Sequence, residues 1–180
     1  MNNERKWILR GGRVLNPAPF CLIGIVNVTP DSFSDGGKYI DPCNAVAHGL
    51  RLLDEGAGML DLGAESTRPF AEPVPEGEEI ARLMPVVARL REQRPDAVLS
   101  VDTLKAGTAR AALEGGADII NDVSACVADP ALLDVLAEYK PGYVLMHSQG
   151  SPREMQVNPR YGNVVEEILA FFEEHLARLV

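Results

Sequence analysis

Apolar segments of two kinds alternate along this chain. Short apolar runs predict strands at residues 22–27, 58–63, 97–102, 118–122 and 142–147, and longer segments with helical spacing predict helices at 41–56, 75–94, 104–115, 130–139 and 161–179. Such strand–helix alternation requires a parallel sheet with right-handed crossovers. Residues 7–15 alternate weakly around two glycines and predict a short hairpin before the first strand–helix unit.

Polar residues on one face of the first four strands help to choose between two parallel folds. They lie near the carboxyl end of each strand, and the set comprises Asn27, Asp61, Ser100, Asp102 and Asn121. Neighbouring strands that direct amides and carboxylates to one point favour a barrel mouth over a doubly wound sheet. A complete (β/α)₈ barrel typically needs ~250 residues. The sequence therefore predicts an α/β fold of the TIM-barrel family, as a single domain over residues 1–180 that stops after the fifth βα unit.

Composition narrows the range of partners. The net charge is -9 and no basic cluster occurs, so neither nucleic acid nor an anionic membrane is an expected partner. No apolar run approaches the ~20 residues that span a bilayer. The amino terminus does not resemble a signal peptide, and three widely spaced cysteines are typical of reduced thiols. We therefore expect a cytoplasmic protein.

Asp102 and Asn121 are candidates for recognising a nitrogen-rich ring. A carboxylate accepts paired N–H donors, and an amide offers both a donor and an acceptor. The alternatives are structural: Asp102 caps the following helix, and Asn121-Asp122 supplies turn chemistry. Arg68, in a proline-bounded loop, suits a carboxylate or phosphate, although a loop arginine is often only solvated.

Other chemistry is less well supported by the sequence. His147 ends the fifth predicted strand on the face opposite Met146, which favours a structural hydrogen bond over catalysis. No spacing of His, Cys or Asp forms a metal cage made of protein ligands alone. Neither a P-loop nor a dinucleotide-binding glycine motif follows a strand.

Several segments together resemble the dihydropteroate synthase family. Two of them are long and specific, and three are shorter; the segments are residues 24–37, 61–69, 100–103, 120–124 and 145–147, the last with Gly150 and Met155-Gln156 downstream. The resemblance extends from about residue 7 to residue 180. It implies a (β/α)₈ barrel that condenses 6-hydroxymethyl-7,8-dihydropterin pyrophosphate with 4-aminobenzoate, giving 7,8-dihydropteroate and pyrophosphate.

The resemblance also implies roles for individual residues. Asn27 would help to bind Mg²⁺ and the pyrophosphate, and Asp102, Asn121 and Met146 would line the pterin pocket. Two loops would close over the site and shape the aminobenzoate pocket; they carry Phe33, Ser34, Asp35, Thr67, Arg68 and Pro69. Asp35 and Arg68 are the catalytic candidates. Departure of pyrophosphate would leave a cationic methylene on the pterin, which the Asp35 carboxylate could stabilise.

Part of the family pattern falls outside these 180 residues. The family carries a second pterin-binding aspartate on strand six, a lysine on strand seven, and an arginine and a histidine on strand eight. We therefore expect the 180-residue chain alone to be inactive, and a full-length parent to be an active homodimer. Two alternatives remain: a non-catalytic pterin-binding fragment, and the pterin-binding domain of a corrinoid-linked methyltransferase. The second usually carries Gly-Glu-Arg where this chain has Gly24-Ile25-Val26.

Overall fold

The computed structural model describes residues 6–29, 41–65, 73–150, 155 and 158–179. Its strands and helices follow the predicted alternation, with bounds that shift by at most three residues from those expected. In chain order the elements are β1 (Trp7–Ile8), β2 (Val14–Leu15), β3 (Ile23–Asn27), α1 (Pro42–Asp54), β4 (Met59–Gly63), α2 (Glu76–Gln93), β5 (Leu99–Asp102), α3 (Ala106–Glu114), β6 (Ile119–Asp122), α4 (Leu132–Tyr139), β7 (Gly142–Leu145) and α5 (Val164–Leu179).

Strands β3 to β7 form a parallel sheet in sequential order, as predicted. Each strand is followed by a helix, which is the arrangement of a barrel wall. The main core lies between the sheet and helices α1 to α4, where Leu60, Leu83, Leu90 and Leu113 are fully buried. The opposite face is more open at the first strand, because Ile23 and Ile25 remain 54% and 62% exposed. No helix in the described residues is long and apolar enough to cross a membrane.

The predicted hairpin is present and covers the amino-terminal end of the open face. Strands β1 and β2 pair antiparallel, and Leu9, between them, packs in a second apolar cluster with Met59 and Ile119. Gly142 allows this approach, because a Cβ there would lie 2.7 Å from Leu9 Cδ2 and 2.9 Å from Ile119 Cγ1. The hairpin therefore covers the amino-terminal end of this sheet face, and the candidate site lies at the opposite, carboxyl end.

An ion-pair cluster fastens the hairpin to the sheet. Asp118, next to β6, accepts hydrogen bonds from Arg13 Nη1 at 2.8 Å and from Arg91 Nη2 at 2.9 Å. The same carboxylate accepts from the backbone N–H of Leu99 at 3.0 Å. Because Asp118 is buried and fully partnered, the cluster fixes β1–β2 against β5 and α2.

Helix α1 begins as its sequence predicts. The Asp41 carboxylate accepts a hydrogen bond from the backbone N–H of Cys43 at 2.9 Å, and Pro42 occupies the first helical position. That hydrogen bond also lowers the pKa of Asp41.

Candidate functional site

Four residues stand side by side across the carboxyl ends of β3 to β6. Asn27 is in register with Gly63, Gly63 with Asp102, and Asp102 with Asn121. Residues in register in a parallel sheet point to the same face, so this set forms one row, which we call the polar row. A Cβ built on Gly63 would lie 3.7 Å from Asp102 Cβ and 4.0 Å from Asn27 Oδ1. The predicted convergence of Asn27 and Asp102 is therefore confirmed.

Asp102 lies in the middle of the polar row, between Gly63 and Asn121. It makes no hydrogen bond to the part of the chain that the structure describes, and burial together with the negative charge of Asp61 raises its pKa to about 7. The helix-cap alternative is wrong, because Asp129 Oδ2 accepts from the first N–H of α3, that of Ala106, at 2.8 Å. A half-buried carboxyl group with no hydrogen bond to the described residues suits a ligand that brings its own N–H donors.

Asn121 is oriented by a residue one level deeper on the same face. Its Nδ2 donates to Asp61 Oδ2 at 2.9 Å, while Ser100 Oγ donates to Asp61 Oδ1 at 2.6 Å. Asp61 was predicted to face inward, but sequence reasoning gave it no function. The structure shows that it holds the Asn121 amide in one orientation, which directs the amide oxygen away from Asp61.

The turn chemistry proposed for Asn121-Asp122 is present as well, on the other face of the sheet. The buried Asp122 carboxylate accepts from the N–H groups of Ser124 at 2.7 Å and Cys126 at 2.6 Å, and from the Tyr143 hydroxyl at 2.9 Å. Burial is the main cause that raises the pKa of Tyr143. Asn121 therefore faces the polar row and Asp122 faces the turn, because alternate side chains of a strand point to opposite faces.

Strand β7, the next strand after β6, places apolar residues beside the polar row. Val144 is in register with Asn121, and the half-buried Met146 directly follows the strand. His147 turns instead toward α5, where its ring lies 4.7 Å from the Phe171 ring in an edge-on arrangement. Packing of His147 against α5 agrees with a structural role, but the predicted hydrogen bond is not among the contacts of the described residues.

A charged cluster that the sequence did not reveal lies beside the polar row. Lys105 Nζ donates to Glu65 and, at 2.7 Å, to Glu79 Oε2, which also accepts from Thr108 Oγ1 at 3.1 Å. Burial lowers the pKa of Lys105, but hydrogen bonds to the two glutamates outweigh it, so the pKa is raised overall. Glu79 is 1% exposed, and its second oxygen, Oε1, has no partner in the described structure.

Six predicted site residues lie outside the described residues. Their ranges are 30–40 and 66–72, and the residues concerned are Phe33, Ser34, Asp35, Thr67, Arg68 and Pro69. Their roles in the aminobenzoate pocket and in catalysis stay predictions.

The described residues contain no group of three or more His, Cys, Asp or Glu side chains that could hold a metal ion. Magnesium bound together with a phosphate ligand needs fewer protein ligands, because it commonly takes one or two protein oxygens and completes its coordination shell with phosphate oxygens and water. Asn27 is exposed and its Oδ1 faces the polar row, so a single oxygen ligand of this kind is available.

Fold and site together define an α/β protein of the TIM-barrel type with a row of polar side chains at the carboxyl ends of its strands. The family profile described as "Pterin binding enzyme" matches residues 23–180. The chain therefore belongs to the pterin-binding enzyme family, and within that family it resembles dihydropteroate synthases. The wall seen here corresponds to part of their barrel.

Two kinds of relative support this placement. The dihydropteroate synthase of Mycobacterium leprae is 47% identical over 154 residues, which cover 85% of this chain and 54% of that protein. The structure of the Yersinia pestis dihydropteroate synthase with a sulfonamide drug complex matches with a TM-score of 0.87 and 41% identity, over 97% of this chain and 62% of that one. The Xanthomonas albilineans enzyme with 4-aminobenzoic acid matches with a TM-score of 0.81 and 45% identity, over 96% of this chain and 61% of that one. The chain thus spans about half the length of the M. leprae relative.

Proposed function

We propose that this chain is the pterin-binding part of a dihydropteroate synthase, which condenses 6-hydroxymethyl-7,8-dihydropterin pyrophosphate with 4-aminobenzoate. The observation that carries the proposal is the polar row, with the half-buried carboxyl group of Asp102, which has no hydrogen-bond partner among the described residues, at its centre. The identity of 47% to a dihydropteroate synthase favours this function over that of a corrinoid-linked methyltransferase.

Recognition of the pterin follows from the chemistry of the polar row. The pyrimidine edge of a pterin presents adjacent N–H donors, which an ionised Asp102 accepts as charge-assisted hydrogen bonds. Asn121 adds an amide that Asp61 has already oriented, so little side-chain entropy is lost on binding. Met146 and Val144 supply apolar contact at the same end of the sheet.

Asn27 is the residue that we assign to the pyrophosphate end of the substrate. In the presence of Mg²⁺, its side-chain oxygen would be one ligand, and the ion would neutralise charge on the leaving pyrophosphate. By resemblance, Asp35 stabilises the cationic methylene that remains, and Arg68 with Phe33, Ser34, Thr67 and Pro69 shapes the aminobenzoate pocket. The arylamine then attacks the methylene and loses its proton, which completes the condensation.

Turnover of the whole protein that carries these residues tests this proposal. With Mg²⁺, the pterin pyrophosphate and labelled 4-aminobenzoate, we expect labelled dihydropteroate. Asn27→Ala should lower the rate by about tenfold or more, because it removes a contact to a charged group. The matched control is Asn44→Ala on the exposed surface of α1, which should leave the rate unchanged. Absence of labelled product from the unaltered protein would contradict the proposal.

Three further expectations belong to the same proposal. A polypeptide of these 180 residues alone should form no product, because the resemblance assigns a further pterin contact to strand six and further charged ligands to strands seven and eight. The whole protein should be a homodimer, as the resemblance implies. The cytoplasm is the expected location, and the three free cysteines at positions 21, 43 and 126 support it.

A further inference from the structure

The Asn121 amide is held from one side by a carboxylate that can only accept hydrogen bonds. Its Nδ2 donates to Asp61 Oδ2 at 2.9 Å, and the other oxygen of that carboxylate, Oδ1, accepts from the buried Ser100 hydroxyl at 2.6 Å. An ionised carboxylate has no hydrogen to donate, so the Asn121 oxygen could not take the place of Nδ2 without facing another acceptor. The contact with Asp61 therefore fixes which end of the amide carries the donor and which the acceptor.

The fixed amide leaves one donor and one acceptor for a ligand. A side-chain amide carries two N–H groups and one carbonyl oxygen, and Asp61 occupies one of the two N–H groups. The remaining N–H and the oxygen complement a ring nitrogen that accepts beside an amino group that donates. A ring whose amino group is replaced by an oxo group presents the reverse order, because its ring nitrogen carries a hydrogen and the oxo group accepts.

We propose that Asp61 is a positioning residue that makes the site select a 2-amino ring over its 2-oxo counterpart, by fixing the orientation of the Asn121 amide. This inference rests on the proposed function, in which the ligand is a pterin. A pterin carries its 2-amino group beside the ring nitrogen N1, whereas a lumazine, its 2-oxo counterpart, carries an N1–H beside an oxo group. Against a lumazine the fixed amide would oppose donor to donor and acceptor to acceptor, and a site whose polar groups are left unpaired rejects a ligand strongly.

Asp61→Asn keeps the shape of the side chain but removes the restriction on the amide. Residue 61 could then either accept from the Asn121 amide or donate to it, so the amide could turn to fit either ligand. Isothermal titration calorimetry of the whole protein that carries these residues compares 6-hydroxymethyl-7,8-dihydropterin with the corresponding 7,8-dihydrolumazine. The ratio of the two affinities should fall by about tenfold or more in Asp61→Asn. The matched control is Asp54→Asn, the same change at a position that is 61% exposed, and it should leave both affinities unchanged.

A purely structural role of Asp61 would weaken both ligands alike and would leave the ratio unchanged. An equal loss for both ligands in Asp61→Asn, including loss of all binding, would therefore overturn the inference while the proposed function stands. An unaltered protein that binds the two ligands equally well would overturn it in the same way. Failure of the unaltered protein to bind the pterin would contradict the proposed function, and the inference with it.

Discussion

Asp102→Asn is expected to stabilise the folded chain by about 2–4 kcal/mol at pH 8.5. Burial, followed by the charge of Asp61, raises the pKa of Asp102 from 3.8 to about 7. Between these two values the folded state retains a proton that the unfolded state has released, so stability falls as the pH rises through this window. Above about pH 7 the full cost of this half-buried charge beside Asp61 is present, and a neutral amide of the same shape removes it.

Urea unfolding at pH 8.5 and at pH 3.5 measures this effect. The stability difference between Asp102→Asn and the unaltered chain should be large at the higher pH and close to zero at the lower pH, where both side chains are neutral. Asp54→Asn is the matched control, because Asp54 is 61% exposed in a surface ion pair with Arg94, so the change should stay within about 1 kcal/mol at either pH. A loss of stability in Asp102→Asn at pH 8.5 would show that the carboxylate supports the fold rather than the site.

Lys105→Met is expected to destabilise the chain by about 3–5 kcal/mol. The substitution keeps the aliphatic packing but removes the only cation that the described structure places on Glu79, which is 1% exposed. Glu65 loses its ion pair in the same step. A buried carboxylate without a cation beside it costs far more than the lost attraction of an exposed pair, even though Thr108 Oγ1 still donates to Glu79.

Denaturant unfolding of three variants separates this explanation from simple loss of packing. Arg94→Met breaks the exposed pair with Asp54 and should cost no more than about 1 kcal/mol. The double variant Lys105→Met/Glu79→Gln should recover part of the loss, because the buried charge is then absent. If Lys105→Met cost as little as Arg94→Met, or if the double variant recovered nothing, the cluster would not carry the stability assigned to it.

The polar row could be predicted from the sequence because it depends on strand periodicity alone. Once the strands ending at Asn27, Gly63 and Asp102 were assigned and the sheet was taken as parallel and sequential, alternation placed these residues on one face. The family resemblance added roles that periodicity cannot supply, such as the assignment of Asn27 to the pyrophosphate.

The Lys105 cluster could not be predicted in the same way. The apolar spacing of residues 75–94 predicts that Ile80 faces the core, but the structure buries the neighbouring Glu79 more deeply. Lys105 and Glu79 are 26 positions apart, and they meet because α2 packs against α3. Contacts of this kind depend on the angle between helices, which no local pattern specifies. The hydrogen bond from Asn121 to Asp61, 60 positions apart, was also not predicted, because strand periodicity gives the face on which a side chain lies but not its hydrogen-bond partner.

Isothermal titration calorimetry with 6-hydroxymethyl-7,8-dihydropterin pyrophosphate and Mg²⁺ tests most directly whether the polar row binds the pterin. The whole protein that carries these residues should bind at pH 8.5 when unaltered, and its Asp54→Asn variant should bind equally well. Asp102→Asn should bind at least about a hundredfold more weakly, because two charge-assisted hydrogen bonds to the ring are lost. The expected gain in stability of this variant rules out unfolding as the cause. Equal affinity of the Asp102→Asn variant and the unaltered whole protein would contradict the assignment of the polar row as the pterin site.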